Sequence, residues 1–279
     1  MTPTRPIGQS SADTLLSLFG RTKVVIGVVH LAPLPGAPRY DGEAVEAIYQ
    51  RGLDDARAYL HGGCDGVIIE NHGDIPFAKP DDIGPETAAY MAVVADRIRL
   101  ELGKPIGINV LANAAIPALA VASAAGAGFV RVNQWANAYV ANEGLMEGES
   151  GRAARYRARL RANGIRIFAD AHVKHGAHAI VADRPIEELV RDLVFFDADA
   201  IIATGQRTGD AADLDYIRMI KAAAGLPTLV GSGVSPDNAG DILDIIDGVI
   251  IASALKHDGV WWNTVDPARV TAFITGLKR

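Results

Sequence analysis

Short aliphatic runs alternate with longer amphipathic stretches along this chain. Eight runs are nearly continuous in apolar residues: 24–30 (VVIGVVH), 65–70 (DGVIIE), 105–110 (PIGINV), 128–133 (GFVRVN), 165–171 (IRIFADA), 199–204 (DAIIAT), 227–231 (PTLVG) and 247–252 (DGVIIA). Strands buried on both faces of a parallel sheet have this pattern. The segments between them, 43–61, 85–102, 114–125, 149–163, 185–196, 211–224, 236–245 and 266–277, carry helical patterning. Pro85 and Pro185 stand where a first helical turn would begin, and Ser235-Pro236 places a capping hydroxyl before a proline. A short helix is expected at 13–19 (DTLLSLF).

Strand followed by helix, eight times over, predicts an α/β protein built as a (β/α)8 TIM barrel. The expected organisation is a single barrel domain at 23–279, preceded by an extension at 1–22 that carries the short helix. An open doubly wound sheet is the alternative. Against it, the first strand leads into the Pro-rich HLAPLPGAPRY and not into a Gly-rich dinucleotide turn.

In a barrel of this kind the active site lies at the carboxyl ends of the strands, and here those ends are polar. His30 ends strand 1, Glu70 and Asn71 strand 2, Asn109 strand 3 (with Asn113 following), Arg131 and Asn133 strand 4, Thr204 strand 6 and Ser232 strand 7. Strand 5 runs into Asp170, His172 and Lys174, whose spacing of two puts them on one face of a continuing strand. An interior histidine held by its neighbours is the plain alternative for His30. For His172 and Lys174 it is a strand that stops at 171 and leaves them in solvent.

The loops add two features. GSGVSPDN (231–238) and ASALKHDG (252–259) are small-residue turns after strands 7 and 8, where many barrels bind phosphate. Gly231, Ser232, Gly233, Ala252 and Ser253 would offer the cradle, a helix N-terminus would add its dipole, and Lys256 would be a countercharge. Tight turns that need glycine for geometry alone are the competing reading, and TGQRTGD (204–210) is a third such loop. The long segments 71–84, with His72, and 134–150, with Trp135 and Tyr139, would hang over the mouth as lids. VWW (260–262) is expected at the barrel bottom or at an interface between copies, in keeping with a homo-oligomer.

Composition narrows the partners. Net charge is −6 and no basic tract occurs, which argues against nucleic acid. No apolar run of membrane-spanning length is present, and MTPTRPIGQS lacks the apolar centre of a signal peptide. A single cysteine, Cys64, rules out an internal disulfide and suits a cytoplasmic setting.

The chemistry expected at the strand ends is acid–base catalysis on a small molecule. Glu70, Asp170 and His172 are the acid–base candidates, and Lys174 is a Schiff-base lysine or an electrostatic clamp. His30, Asn71, Asn109, Asn133 and Thr204 would bind substrate beside the phosphate loops. The cofactor is undetermined. A divalent metal is one option, with His30, Glu70, Asp170 and His172 as ligands of types that suit Zn or Mn.

VVHLAPLPGAPRY (28–40), DGVIIENHGDIPF (65–77), GINVLANAA (107–115), FVRVN (129–133), DAHVKH (170–175), ATGQRTG (203–209), GSGVSPDN (231–238) and DGVIIASALKHDG (247–259) together resemble the BtpA/SgcQ family. The resemblance implies a TIM barrel of the ribulose-phosphate-binding kind. One branch of that family is named for photosystem I accumulation; another accompanies sugar-transport and sugar-phosphate genes and carries a nucleoside triphosphatase label. The family tends to have Asp where this chain has Ala114, which puts in question any chemistry that needs that acid. Two functions follow. The first is an enzyme acting on a phosphorylated sugar or nucleoside-like compound: an isomerase, lyase or glycosidic-bond hydrolase. The second is a non-catalytic biogenesis or assembly factor.

Overall fold

The structure is a computed structural model, and it describes residues 13–204 and 213–277. The chain runs α1 (Thr14–Phe19), β1 (Val24–His30), α2 (Val45–His61), β2 (Gly66–Glu70), α3 (Pro85–Leu102), β3 (Ile106–Asn109), α4 (Ala115–Ala125) and β4 (Phe129–Val132). It continues through β5 (Ala138–Ala141), β6 (Gly144–Glu147), α5 (Ser150–Arg159), β7 (Arg166–Asp170), α6 (Ile186–Phe195) and β8 (Ala200–Thr204). The last elements are α7 (Leu214–Ala224), β9 (Thr228–Gly231), α8 (Ala239–Ile245), β10 (Gly248–Ile251) and α9 (Pro267–Gly276). Eight strands close into a parallel barrel in the order β1-β10-β9-β8-β7-β4-β3-β2, the TIM-barrel topology. β5 and β6 stand apart as an antiparallel hairpin.

Because strand side chains alternate, each barrel strand feeds two cores. One set of positions (Val25, Val29, Val67, Ile69, Ile108, Val130, Ile167, Ile201, Val230, Val249) packs outward against the helices. The other set (Val24, Ile26, Val28, Ile68, Phe129, Phe168, Ile202, Leu229, Ile250) fills the lumen. Where two bulky groups meet there, glycine makes room: a Cβ on Gly107 would lie 2.3 Å from the Phe129 ring. Leu15, Leu18 and Phe19 of α1 join this inner cluster, with Phe19 edge-on to Phe129 at 5.8 Å, so the N-terminal helix plugs the lumen.

Helix starts follow the chain's own caps in part. Pro85 opens α3, and Pro185 sits just before α6 as its N-cap. The Ser235-Pro236 start is corrected: α8 begins at Ala239, and Asn238 Oδ1 accepts from the Ser235 N–H at 2.8 Å to close the turn ahead of it. No helix among the described residues is long and apolar enough to cross a membrane.

Candidate active site

The lumen is apolar through its lower layers, and the same alternation ends in polar groups at the carboxyl end. His30, Glu70, Asn109, Arg131, Asp170, Thr204 and Gly231 occupy that layer on seven successive strands. His30 pairs in register with Glu70, Glu70 with Asn109, and Thr204 with Gly231.

Glu70 is 5% exposed, and both its oxygens are engaged. Oε2 accepts from Asn109 Nδ2 at 2.7 Å, and Oε1 meets His72 Nδ1 at 2.9 Å. His30 Nε2 lies 3.8 Å from the same Oε1. The other ring nitrogen of His30 is 3.2 Å from the Trp261 carbonyl oxygen. A carbonyl only accepts, so Nδ1 carries the proton and Nε2 turns its lone pair toward Glu70. The two imidazoles stack at 4.2 Å, and Trp261 stands edge-on to His72 at 4.6 Å. Burial, followed by the adjacent His72, pushes His30 down to about 3, so its ring is neutral at pH 7. Burial alone would raise Glu70. The hydrogen bond and charge of His72, then His30 and Arg131, outweigh it and hold the carboxylate below its usual range.

Across the lumen, Arg131 grips Asp170 with two hydrogen bonds, Nε to Oδ1 at 3.0 Å and Nη2 to Oδ2 at 2.9 Å. Asn133 Nδ2 adds a third at 3.1 Å. The Asn133 Oδ1 is buried and has no hydrogen-bond partner among the described residues. A buried acceptor left unsatisfied in this polar layer is a place for a ligand's donor.

The strand expected to carry Asp170, His172 and Lys174 on one face ends at Asp170. The backbone then bends and separates the three. His172 stacks on His178 at 3.6 Å, and His178 stacks on Tyr139 at 5.3 Å. Burial, then His178, pushes His172 down to about 4. Lys174 turns back over the mouth and donates to Ser232 Oγ at the end of β9. Burial and the Arg131 charge lower its pKa, and Glu70 and Asp170 partly oppose them. So the metal set His30, Glu70, Asp170, His172 is not assembled: Asp170 is taken by Arg131, and His172 by His178. His30, Glu70 and His72 come together instead, with ligand atoms all within 4.8 Å of one another.

The turn after β9 is left-handed at both Ser232 (φ 77°) and Gly233 (φ 72°). A serine there stores strain on the order of 1–3 kcal/mol, a common mark of a working site. The helix dipole expected at this turn is not available, because α8 starts only at Ala239. Ala252 and the half-buried Ser253 follow β10, Ser253 opening a short 3-10 turn. Lys256, expected as a countercharge for these loops, is turned inward. It is 1% exposed, 4.0 Å from Asp55, and lies close enough to Glu70 and His30 to act on both.

Other expectations also change. Asn71 is spent on scaffolding, with bonds to Asp74, to the Leu111 carbonyl and from the Leu111 N–H, and offers no free amide hydrogen to a ligand. Thr204 donates to the His172 carbonyl. Asn113 bonds Glu147 and Gln134 and so fixes the β5–β6 hairpin, which arises inside the segment read as a loop. Trp261 lines the site and is not at the barrel bottom, whereas Trp262 is 70% exposed. Most of loop 204–210 lies outside the described residues.

Comparison with known proteins bears on what this barrel is. The profile of the BtpA family matches residues 21–279. The chain belongs to the BtpA family. An uncharacterised protein of Archaeoglobus fulgidus is 41% identical over 256 residues, covering 92% of this chain and 99% of the relative. The photosystem I biogenesis protein BtpA of Synechocystis is 38% identical over 265 residues, covering 94% of this chain and 91% of the relative. Among solved structures, thiamine phosphate pyrophosphorylase from Pyrococcus furiosus superposes with a TM-score of 0.55 at 14% identity, covering 91% of this chain and 95% of that one. Orotidine 5'-phosphate decarboxylase from Pyrococcus horikoshii does so at 0.55 and 12%, covering 91% and 98%. At such identities the likeness carries the barrel fold. In this BtpA-family chain, position 114 is the N-cap of α4, buried and without a side-chain cap. An Asp there would cap the helix.

His72 and Trp261 join the site, and Arg131 gains a partner, only once the chain is folded. His72 had a signal: it follows Glu70 by two, which continues the strand's alternation past its end. Trp261 had none, since only closure of the barrel brings the loop after β10 against β1.

Proposed function

We propose that this protein is an enzyme acting on a phosphorylated small molecule, a sugar phosphate or nucleoside-like compound, by acid–base chemistry at the barrel mouth. The observation that carries the reading is the division of the mouth into two halves. Glu70, His30 and His72 gather on β1 and β2. Lys174 and Ser232 meet on the far side, from β7 and β9.

In this reading Lys174, the left-handed turn at Ser232 and Gly233, and the half-buried Ser253 hold the phosphate. The reacting end of the ligand lies against Glu70. Glu70, held ionised, orients His72, and the His72 ring exchanges the proton with the ligand, which is the exchange an isomerase or lyase needs. Asp170 holds Arg131 in place, and Arg131 steadies developing negative charge. The two solved structures named above carry phosphorylated compounds in their names, which fits this reading. The second reading, a non-catalytic assembly factor, is favoured by the name of the Synechocystis relative.

A thermal-shift screen with inorganic phosphate, sugar phosphates and nucleotides separates the two. A ligand at about 100 times its Kd adds roughly 2.7 kcal/mol of stability. The enzyme reading expects such a shift, lost in Lys174→Met and in Ser232→Gly, and turnover of that ligand lost in Glu70→Gln. The Ser232→Gly change removes the hydroxyl and suits the left-handed turn, so lost binding is not a folding defect. No shift with any phosphorylated compound would sink the enzyme reading.

A further inference from the structure

We propose that His30, Glu70 and His72 form a binding site for one divalent transition-metal ion of the Zn2+ kind. Their ligand atoms lie within 4.8 Å of one another, and His30 Nε2 and Glu70 Oε1 are 3.8 Å apart. Tetrahedral coordination with bonds of about 2.1 Å would set ligand atoms about 3.4 Å apart. A small inward movement therefore suffices, and rotation of the partly exposed His72 side chain on its anchored loop would supply the larger part of it.

The orientation of the groups points the same way. The Trp261 carbonyl accepts a hydrogen bond from the Nδ1–H of His30. That leaves the Nε2 lone pair facing a carboxylate oxygen at 3.8 Å inside the protein. Two acceptors turned toward each other repel unless a cation lies between them. Asn109 holds the other carboxylate oxygen at 2.7 Å and so aims Oε1 at the two rings. A backbone carbonyl behind the histidine and an amide behind the carboxylate are the outer partners by which proteins orient metal ligands. Trp261 and Phe77 flank His72 at 4.6 and 5.9 Å and provide an apolar wall.

Two imidazoles and one carboxylate suit Zn2+, Co2+, Mn2+ or Fe2+ and leave a position open to water or ligand. Mg2+ and Ca2+ prefer all-oxygen sites. An ion there would be held by His30, Glu70 and His72, with the His72–Glu70 hydrogen bond given up, and would supply Lewis-acid chemistry at its open position, beside the proton exchange proposed above. The metal site is independent of what the far half of the mouth binds.

The test uses the full chain, stripped with a chelator and then given Zn2+ or Co2+ alone. Metal content after desalting and the visible spectrum of the Co2+ form are read. One equivalent per chain is expected, with Co2+ bands of a nitrogen- and oxygen-ligated site. His72→Ala should weaken binding roughly 100-fold or more and Asn109→Ala about 10- to 100-fold. His30→Ala should abolish retention, and the loop position of His72 keeps the test valid if the buried His30 variant fails to fold. Less than a tenth of an equivalent in the wild type would overturn the proposal. So would binding that survives His72→Ala and disappears in His178→Phe, which would put the ion on the His172–His178 stack. Phosphate binding without metal, or metal binding without phosphate, would show which of the two readings had failed.

Discussion

Arg131 and Asp170 meet across adjacent strands β4 and β7 through two parallel hydrogen bonds of 3.0 and 2.9 Å, with the Asp170 side chain 1% exposed. A buried pair of this geometry contributes little compared with two well-packed apolar groups, yet breaking it is costly. Arg131→Met leaves a carboxylate inside the lumen with Asn133 as its remaining partner. The expected loss of stability is about 3–5 kcal/mol. The double variant Arg131→Met/Asp170→Leu should recover much of it. Urea unfolding of both variants checks this, and a double variant no more stable than the single one would count against a paired role.

Much of this architecture was legible in the chain. The eight barrel strands are continuous aliphatic runs, so their burial on both faces is written locally. Because their ends were legible, so were His30, Glu70, Asn109 and Asp170 as one layer. The β5–β6 hairpin was not, because AYVANEGLME mixes short apolar and polar positions, and its place depends on Asn113, some two dozen residues earlier and longer-range than any periodicity. The fate of His172 and Lys174 was also hidden. Their spacing continues a strand, but the sheet stops at Asp170, and only the partners His178 and Ser232 decide where each goes. In the same way Lys256 reads as a countercharge for the phosphate loops, and only the fold shows it buried beside Asp55 of α2.

Gly73 sets the position of His72. Its N–H donates to the Leu31 carbonyl at 3.0 Å, which ties the loop after β2 to the loop after β1. A Cβ there would lie 2.5 Å from the backbone nitrogen of Pro33 and 2.7 Å from the Leu31 oxygen. Backbone atoms cannot rotate away as a side chain would. Gly73→Ala should therefore push the loops apart, cost about 1–3 kcal/mol, and draw His72 away from Glu70. Thermal unfolding together with Co2+ binding checks both effects, and an alanine variant with wild-type values for both would refute the role.

His172 makes stability acid-sensitive. In the unfolded chain it takes a proton near pH 6.5; in the folded protein, buried against His178, it does so only at about 4. Between those values the unfolded state binds more protons, so this contribution is complete above pH 6.5 and is lost as pH falls toward 4. Tyr139 extends the stack, and Tyr216 stands edge-on to His172; neither titrates in this range. His172→Phe keeps a ring in the stack and removes the proton site. The drop in Tm between pH 7 and pH 4.5 should be smaller in that variant than in the wild type. Equal drops would show that the proton is taken up elsewhere.

Lys174 bridges the two ends of the phosphate half, and its chemistry predicts a pH profile for ligand binding. Burial and the Arg131 guanidinium lower its pKa below the ordinary lysine range, so it loses its charge earlier than a surface lysine as pH rises. Affinity for a phosphorylated ligand should be greatest where the ammonium persists and decline on the alkaline side, starting below pH 10.5. Lys174→Met should bind the same ligand roughly 10- to 100-fold more weakly at pH 7, in line with a loss of about 1.5–3 kcal/mol for a charge-assisted hydrogen bond. The variant should also show no alkaline decline. Lys174→Arg keeps a charge that does not titrate, and so should restore binding in part and move the decline out of range. Titration calorimetry across pH 6.5–10 reads all three proteins. A methionine variant that still shows the wild-type decline would move the titrating group off Lys174, and borohydride trapping of a covalent adduct at Lys174 would replace the clamp with a Schiff base.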